Sequence, residues 1–188
     1  AFAAGEEGVG RLPAHHAGLF YVQEPSACSA VTVLAPQPGE KVLDLCAAPG
    51  GKSTQIAGLL AGEGLLWSNE IVKSRAQVLL SNVERLGVAN AVVSSCHPQR
   101  LCESLQGFFD KVLVDAPCSG EGMFRRDPAA IAQWTPESPA ACAQRQRAIL
   151  DSAALAVGEG GVLVYSTCTF SREENEDNVR WFLSAHPE

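Results

Sequence analysis

The stretch Lys41-Val-Leu-Asp-Leu-Cys46, continued by Ala47-Ala-Pro-Gly-Gly-Lys52 and Ser53-Thr-Gln-Ile-Ala-Gly-Leu-Leu60, decides the fold class. Its first six residues have the β-branched and Leu-rich character of a short buried strand, and residues 51–60 have the apolar spacing of a helix. A Pro-Gly-Gly turn joins the two. The same unit recurs outward along the chain. Residues 64–68 predict a strand followed by a helix over 72–86, and residues 91–95 a third strand. Residues 110–115 predict a fourth strand, 140–157 a helix, 161–167 a fifth strand and 172–185 a last helix. Strands alternating with helices imply parallel strands joined by right-handed crossovers, which is an α/β fold with a doubly wound, Rossmann-like sheet.

Composition bounds the reading. The 188 residues suit one domain, and 46% hydrophobic with 19% charged residues is ordinary globular usage rather than that of a disordered chain or a fibre. No run approaches the ~18 apolar residues of a spanning helix, and no basic segment leads into an apolar one at the N-terminus, so a cytoplasmic location is expected. The net charge of −7 is unfavourable for gripping phosphates, which implies weak nucleic-acid binding by this domain alone. The seven cysteines are scattered and include no Cys-x-x-Cys pair. That pattern argues against a disulfide framework and a zinc site, and no metal is expected.

In a doubly wound sheet, ligands bind beyond the carboxyl ends of the strands. Asp44, Glu70, Asp115 and Cys168 all fall at those ends. The turn at Pro49-Gly50-Gly51 opens a helix, where backbone N–H groups face a ligand. A phosphate-binding loop ending Gly51-Lys52-Ser53 would need glycine where Cys46 stands, and no Gly-x-Gly-x-x-Gly dinucleotide fingerprint is present. An acidic residue at the end of the second strand, Glu70, suits a ribose. S-adenosylmethionine carries a ribose and a methionine tail in place of phosphates, and Gly50, Gly51 and Glu70 supply the residue types it needs.

Four segments in this order, Asp44-Leu-Cys-Ala-Ala-Pro-Gly-Gly-Lys52, Asn69-Glu70, Asp115-Ala-Pro-Cys-Ser-Gly120 and Ser166-Thr-Cys-Thr-Phe170, resemble the NOP/Sun family of RNA cytosine methyltransferases. Tyr21-Val-Gln-Glu-Pro-Ser-Ala27 matches the segment before the cofactor loop. Gly120-Glu-Gly-Met-Phe-Arg-Arg126, with Trp134, resembles the bacterial, RsmF-like ribosomal RNA branch. The resemblance implies a class I S-adenosylmethionine-dependent methyltransferase domain over residues 1–188, with 1–38 as a lead-in. It also implies 5-methylcytosine formation in RNA, most naturally ribosomal RNA, with a single-stranded or loosely folded target. Such folds usually carry seven strands. Five are expected here, so the chain reads as part of a longer protein whose other parts bind RNA.

By the same resemblance, Asp44, Cys46, Ala47, Ala48, Pro49, Gly50, Gly51 and Lys52 would hold the methionine end of the cofactor, and Glu70 the ribose hydroxyls. Arg75, His97 and Asp115 would complete the cofactor set. His97 stands where the family usually has Asp near the adenine. Asp115 and Cys118 would address the cytosine.

Two cysteines fit the chemistry. Carbon 5 of cytosine is a poor nucleophile until a thiolate adds at carbon 6, and loss of the carbon 5 proton then expels the thiol. Cys168, just past a strand, suits the nucleophile, and Asp115 can hold the amino group or ring nitrogen. DNA cytosine methyltransferases use the Pro-Cys cysteine, here Cys118, as nucleophile. The residues alone leave the two roles open. The Thr-Cys-Thr context of Cys168 assigns it the attack by resemblance and leaves product release to Cys118. Competing expectations are a DNA enzyme, a catalytically silent cofactor-binding scaffold in ribosome assembly and a nicotinamide-dependent dehydrogenase. Lys73, Arg125 and Arg126 are candidate phosphate contacts, Trp134 stacks on RNA or packs, and Glu173-Glu-Asn-Glu176 is expected in the first turn of the last helix, where acids favour the dipole.

Overall fold

A computed structural model describes residues 8–125 and 127–187, so Arg126 lies outside the described residues. Among the described residues two short α-helices, α1 (Pro13–His16) and α2 (Ser29–Leu34), precede the first strand, β1 (Lys41–Asp44). There follow α3 (Gly51–Leu60), β2 (Leu65–Asn69), α4 (Lys73–Arg85), β3 (Ala91–Ser94), α5 (Pro98–Ser104) and β4 (Phe109–Asp115). The chain continues through α6 (Pro128–Gln133), α7 (Ser138–Ala156), β5 (Val157–Ser166) and α8 (Glu176–Ala185). The five strands form one sheet in the order β3-β2-β1-β4-β5, and every pairing is parallel. The order reverses at β1, so the crevice between the β1 and β4 ends is the place for a ligand.

Alternation along each strand sends side chains to two cores. Val42, Leu66 and Leu113 meet Val31 and Leu34 of α2 and Ile56 and Leu60 of α3 on one face. Leu43, Val112 and Val114 meet Leu101 of α5 and Ile149, Leu150 and Ala153 of α7 on the other, with Phe109 closing the lower end. Because both faces are covered, strand side chains read as near-continuous apolar runs rather than a clean alternation.

The sequence pattern gives no sign of α2, α5 and α6, nor of the four-residue α1. Each of the first three has only six or seven residues, and α5 and α6 begin at proline, so none shows enough turns for a period to stand out. β5 begins at Val157 rather than 161, directly on the end of α7. Its glycines sit in a register shift opposite Phe109 and Lys111, and a Cβ on Gly161 would stand 2.8 Å from the Asp110 carbonyl oxygen. The last helix starts at Glu176 rather than 172. Glu176 lies in the first turn as expected, whereas Glu173 and Glu174 precede the helix and Glu174 is buried in side-chain contacts.

Candidate active site

The carboxyl ends of the strands open into a cleft of about 930 Å³, lined by Cys46, Ala48, Glu70, Arg75, His97, Asp115, Cys118 and Cys168 among others. A second cavity of about 220 Å³ lies on the other side of the 45–51 loop, lined by Tyr21, Gln23, Asp44, Ala47, Pro49, Gly51 and Lys52. Cys46, Ala48 and Asp115 line both. The sheet therefore brings together the sequence-expected residues, but it divides them between two spaces.

Asp44 ends β1 beneath the loop and is fully buried. Its Oδ2 accepts from the Ser53 hydroxyl at 2.7 Å, while Oδ1 has no partner among the described residues. Burial raises its carboxyl to about 7, against the partial relief of the Ser53 hydrogen bond. An ionisable oxygen left without a donor at the floor of a ligand loop is an acceptor available to a ligand. Glu70, also buried, accepts from the Val72 N–H at 2.9 Å and lies 3.3 Å from the Arg75 guanidinium. Arg75 in turn donates to the Ala48 carbonyl at 3.0 Å, tying the loop to Glu70. His97 is exposed on the cleft wall as the residue preceding α5.

The glycines of the turn do different work. Gly50 has φ 113°, a left-handed conformation, and an added Cβ would press on Leu79 at 3.1 Å, so it serves the close approach of α4 and lines neither cavity. At Gly51 a Cβ would meet the Gln23 side chain at 2.8 Å. The Tyr21–Ala27 segment thus packs over the loop.

Asp115, at the end of β4, is held from both sides: Lys52 Nζ donates to Oδ2 at 2.7 Å and the Ser166 hydroxyl to Oδ1 at 2.7 Å. Beyond it, Cys118 and Cys168 bring their sulfurs to 3.2 Å, and the Cys168 N–H points at Cys118 Sγ at 3.3 Å. Cys168 is exposed and Cys118 half-buried. The hydrogen bond from the Cys118 thiol lowers the Cys168 thiol to about 7, opposed by partial burial and by Asp115 and aided by Lys52. The same bond, with burial, pushes Cys118 up. Both directions favour the thiolate on Cys168, the more exposed sulfur and the one that Lys52 assists. Cys46, by contrast, is pushed up by burial and neighbouring carboxylates and is not a reactive thiol.

A family model described as 16S rRNA methyltransferase RsmB/F matches residues 31–188. The chain belongs to the RsmB/F family. Among curated relatives it is 44% identical over 183 residues to ribosomal RNA small subunit methyltransferase F of Klebsiella pneumoniae (strain 342), and 43% identical over 185 residues to the protein of that name from Escherichia coli O157:H7. Each alignment covers 96% of this chain and 38% of the relative, so the chain spans well under half of their length. The solved structure of NSun6 from Pyrococcus horikoshii with SFG is similar at a TM-score of 0.86 and 36% identity, covering 94% of this chain and 45% of that one. A SAM-dependent methyltransferase from Aquifex aeolicus, 12% identical with a TM-score of 0.58 over 86% of this chain and 82% of its own, shares the fold alone.

For this RsmB/F chain, the sequence reading missed what fixes the two cysteine loops. Glu174 accepts from the Ser119 N–H at 3.0 Å, from the Ser119 hydroxyl, and from Gln146 Nε2 at 2.7 Å. Glu121 accepts from the Phe170 N–H at 3.1 Å, and the Gly122 N–H donates to the Cys168 carbonyl at 2.8 Å. No spacing rule marks these partners, which lie 28 to 55 residues apart. Trp134 meets Phe124 edge to face at 6.2 Å, so it packs. Lys73 and Arg125 are exposed. Among the described residues no group of three or more candidate metal ligands assembles, and no helix is long and apolar enough to cross a membrane.

Proposed function

We propose that this chain is the catalytic core of an S-adenosylmethionine-dependent methyltransferase that forms 5-methylcytosine in ribosomal RNA, with Cys168 as the covalent nucleophile. The observation that carries the reading is the pair of thiols 3.2 Å apart, beside an Asp115 fixed by Lys52 and Ser166. Family membership supports the coarser part, methyl transfer to rRNA, and a relative solved with SFG, an S-adenosylmethionine analogue, supports the cofactor.

The residues fit that cofactor. The unpartnered Asp44 Oδ1 is an acceptor for the ammonium of a methionine tail, and Glu70, oriented by Arg75, is an acceptor for ribose hydroxyls. The loop 46–52 would cover the tail, and His97 borders the space left for adenine. When bound, S-adenosylmethionine supplies the methyl group that ends on carbon 5.

The Cys168 thiolate adds to carbon 6 of the cytosine and forms a carbon–sulfur bond, while the ring electrons move to carbon 5. Asp115 accepts from the amino group and shares a proton with the ring nitrogen, which draws electron density from the ring as the thiolate adds. Once the Cys168 sulfur is bonded to carbon it no longer needs the Cys118 proton, so the main influence that raised Cys118 is gone. The Cys118 thiol then gives its proton to solvent, and the Cys168 N–H, 3.3 Å from Cys118 Sγ, donates to the thiolate that remains. That thiolate takes the carbon 5 proton, the carbon 5–carbon 6 double bond reforms, and the Cys168 thiolate leaves. The base must be unstacked to reach these groups, so the target is a single-stranded or loosely folded segment. The acidic balance of the chain leaves RNA grip to other parts of the protein, which works where ribosomes are built, in the cytoplasm.

The test is a denaturing gel of the intact protein and its Cys118→Ala and Cys168→Ala variants after incubation with rRNA and S-adenosylmethionine. An RNA adduct that accumulates in Cys118→Ala and is absent in Cys168→Ala is expected. The reverse pattern overturns the assignment.

A further inference from the structure

Both cysteines are reached through the residues that follow them. Ser119, after Cys118, and Thr169, after Cys168, place their hydroxyl oxygens 2.8 Å apart. The Ser119 hydroxyl and N–H both end on the buried carboxylate of Glu174. On the other side of Cys118, the Pro117 carbonyl accepts from Gln146 Nε2 at 3.0 Å, and that same nitrogen donates to Glu174 at 2.7 Å. Cys118 is thus bracketed by one carboxylate and one amide. Glu174 is itself anchored, since its backbone carbonyl accepts from the Tyr165 hydroxyl at 2.7 Å and Gln146 Oε1 accepts from Asn178 Nδ2 at 2.9 Å.

A buried carboxylate with neutral donors and no cation among these contacts is an expensive way to close a loop if packing were its only task, because desolvating a charge is costly. What it supplies is three convergent acceptor contacts at one point, which fixes a backbone segment better than an apolar side chain can. From this geometry we infer that Glu174 is the positioning residue for Cys118: it holds the product-releasing thiol in reach of the adduct without touching the substrate. The inference rests on the cysteine roles proposed above.

The consequence is specific. Cys168 is held through Gly122 and Glu121, contacts that do not pass through Glu174; its link to that carboxylate is the Thr169–Ser119 hydroxyl contact, and Thr169 also donates to Glu121 at 3.0 Å. Removing the Glu174 acceptors therefore loosens Cys118 while leaving the attacking thiol in place. Attack continues and release slows, so covalent adduct builds up although both cysteines are present. Glutamine in place of Glu174 can keep the acceptor toward Ser119 N–H and Gln146 and donate to the Ser119 hydroxyl, which then turns toward Thr169. The amide should therefore restore what alanine loses.

The experiment uses the intact protein with rRNA and S-adenosylmethionine. Glu174→Ala is expected to accumulate RNA adduct on a denaturing gel and to turn over ~100-fold more slowly, the cost of an ångström-scale misplacement. Glu174→Gln is expected to show little adduct and near-normal turnover, and S-adenosylmethionine affinity should be unchanged in both. Should Glu174→Ala fail to fold, Ser119→Ala, which deletes only the hydroxyl links, is expected to give the same build-up at smaller amplitude. If Cys118→Ala traps adduct while neither Glu174→Ala nor Ser119→Ala does, the inference is overturned and the cysteine roles stand. If Cys118→Ala itself traps nothing, it is the assignment of roles that fails.

Discussion

Replacing Asp44 by asparagine tests whether its orphan oxygen receives the cofactor's ammonium group. The carboxyl is fully buried and raised to about 7 by desolvation, so near neutral pH it sits at the midpoint of its titration. If the ammonium binds only the ionised form, apparent affinity scales with the ionised fraction. That fraction goes from about one-half at pH 7 to about one-tenth at pH 6, a loss of about fivefold in affinity. The ligand's α-amino group stays largely protonated across that interval, so the slope belongs to the protein. Calorimetric titration with S-adenosylmethionine at pH 6.0, 6.5 and 7.0 (roughly the window set by these values) should show the slope, together with proton release to buffer. Asp44→Asn should flatten it and weaken binding by about tenfold or more, the worth of a charge-assisted hydrogen bond.

The ligand-free protein should respond in the opposite sense. Because the folded carboxyl lies above its ordinary 3.8, its contribution is fully present below about pH 4 and is lost as pH rises through about 7. The variant should thus gain thermal stability over wild type at pH 8, by at most ~4 kcal/mol, and little at pH 4. A pH-independent wild-type affinity, or a variant that binds S-adenosylmethionine as tightly as wild type, refutes this reasoning.

Alkylation of Cys168, followed by mass spectrometry on RNA-free protein, should be half-maximal near pH 7 and should move up toward the ordinary thiol value of ~8.5 in Cys118→Ala, which removes the stabilising donor. Asp115→Asn should slow methyl transfer by ~10²–10⁴-fold, the range for a lost acid–base partner, with single-turnover assays showing the defect. A Cβ at Gly122 would stand 2.6 Å from the Cys168 carbonyl oxygen, so Gly122→Ala should displace that loop and reduce Cys168 alkylation while circular dichroism stays native. Leu43→Ala, at a fully buried position between β1 and α7, should cost ~2–5 kcal/mol in urea denaturation.

The strand at 41–44, its following helix and the recurrence of that unit were legible because period and punctuation are local properties of the chain. Five strands and their parallel sense followed from alternation alone. The residues meeting at the strand ends, Asp44, Glu70, Asp115 and Cys168, were legible because topology fixes where a loop after a parallel strand must lie, and Cys118 was legible through the family resemblance. Tertiary structure decided the rest. That Cys118 and Cys168 are in hydrogen-bonding contact, with the thiolate favoured on Cys168, depends on a 3.2 Å approach across 50 residues of sequence and on which sulfur is the less exposed. That Glu174 is a buried acceptor and not a first-turn helix acid depends on Ser119 and Gln146 arriving from two other segments. Such contacts join positions whose separation carries no periodic signal, and burial is a property of the assembled layers rather than of any window of residues.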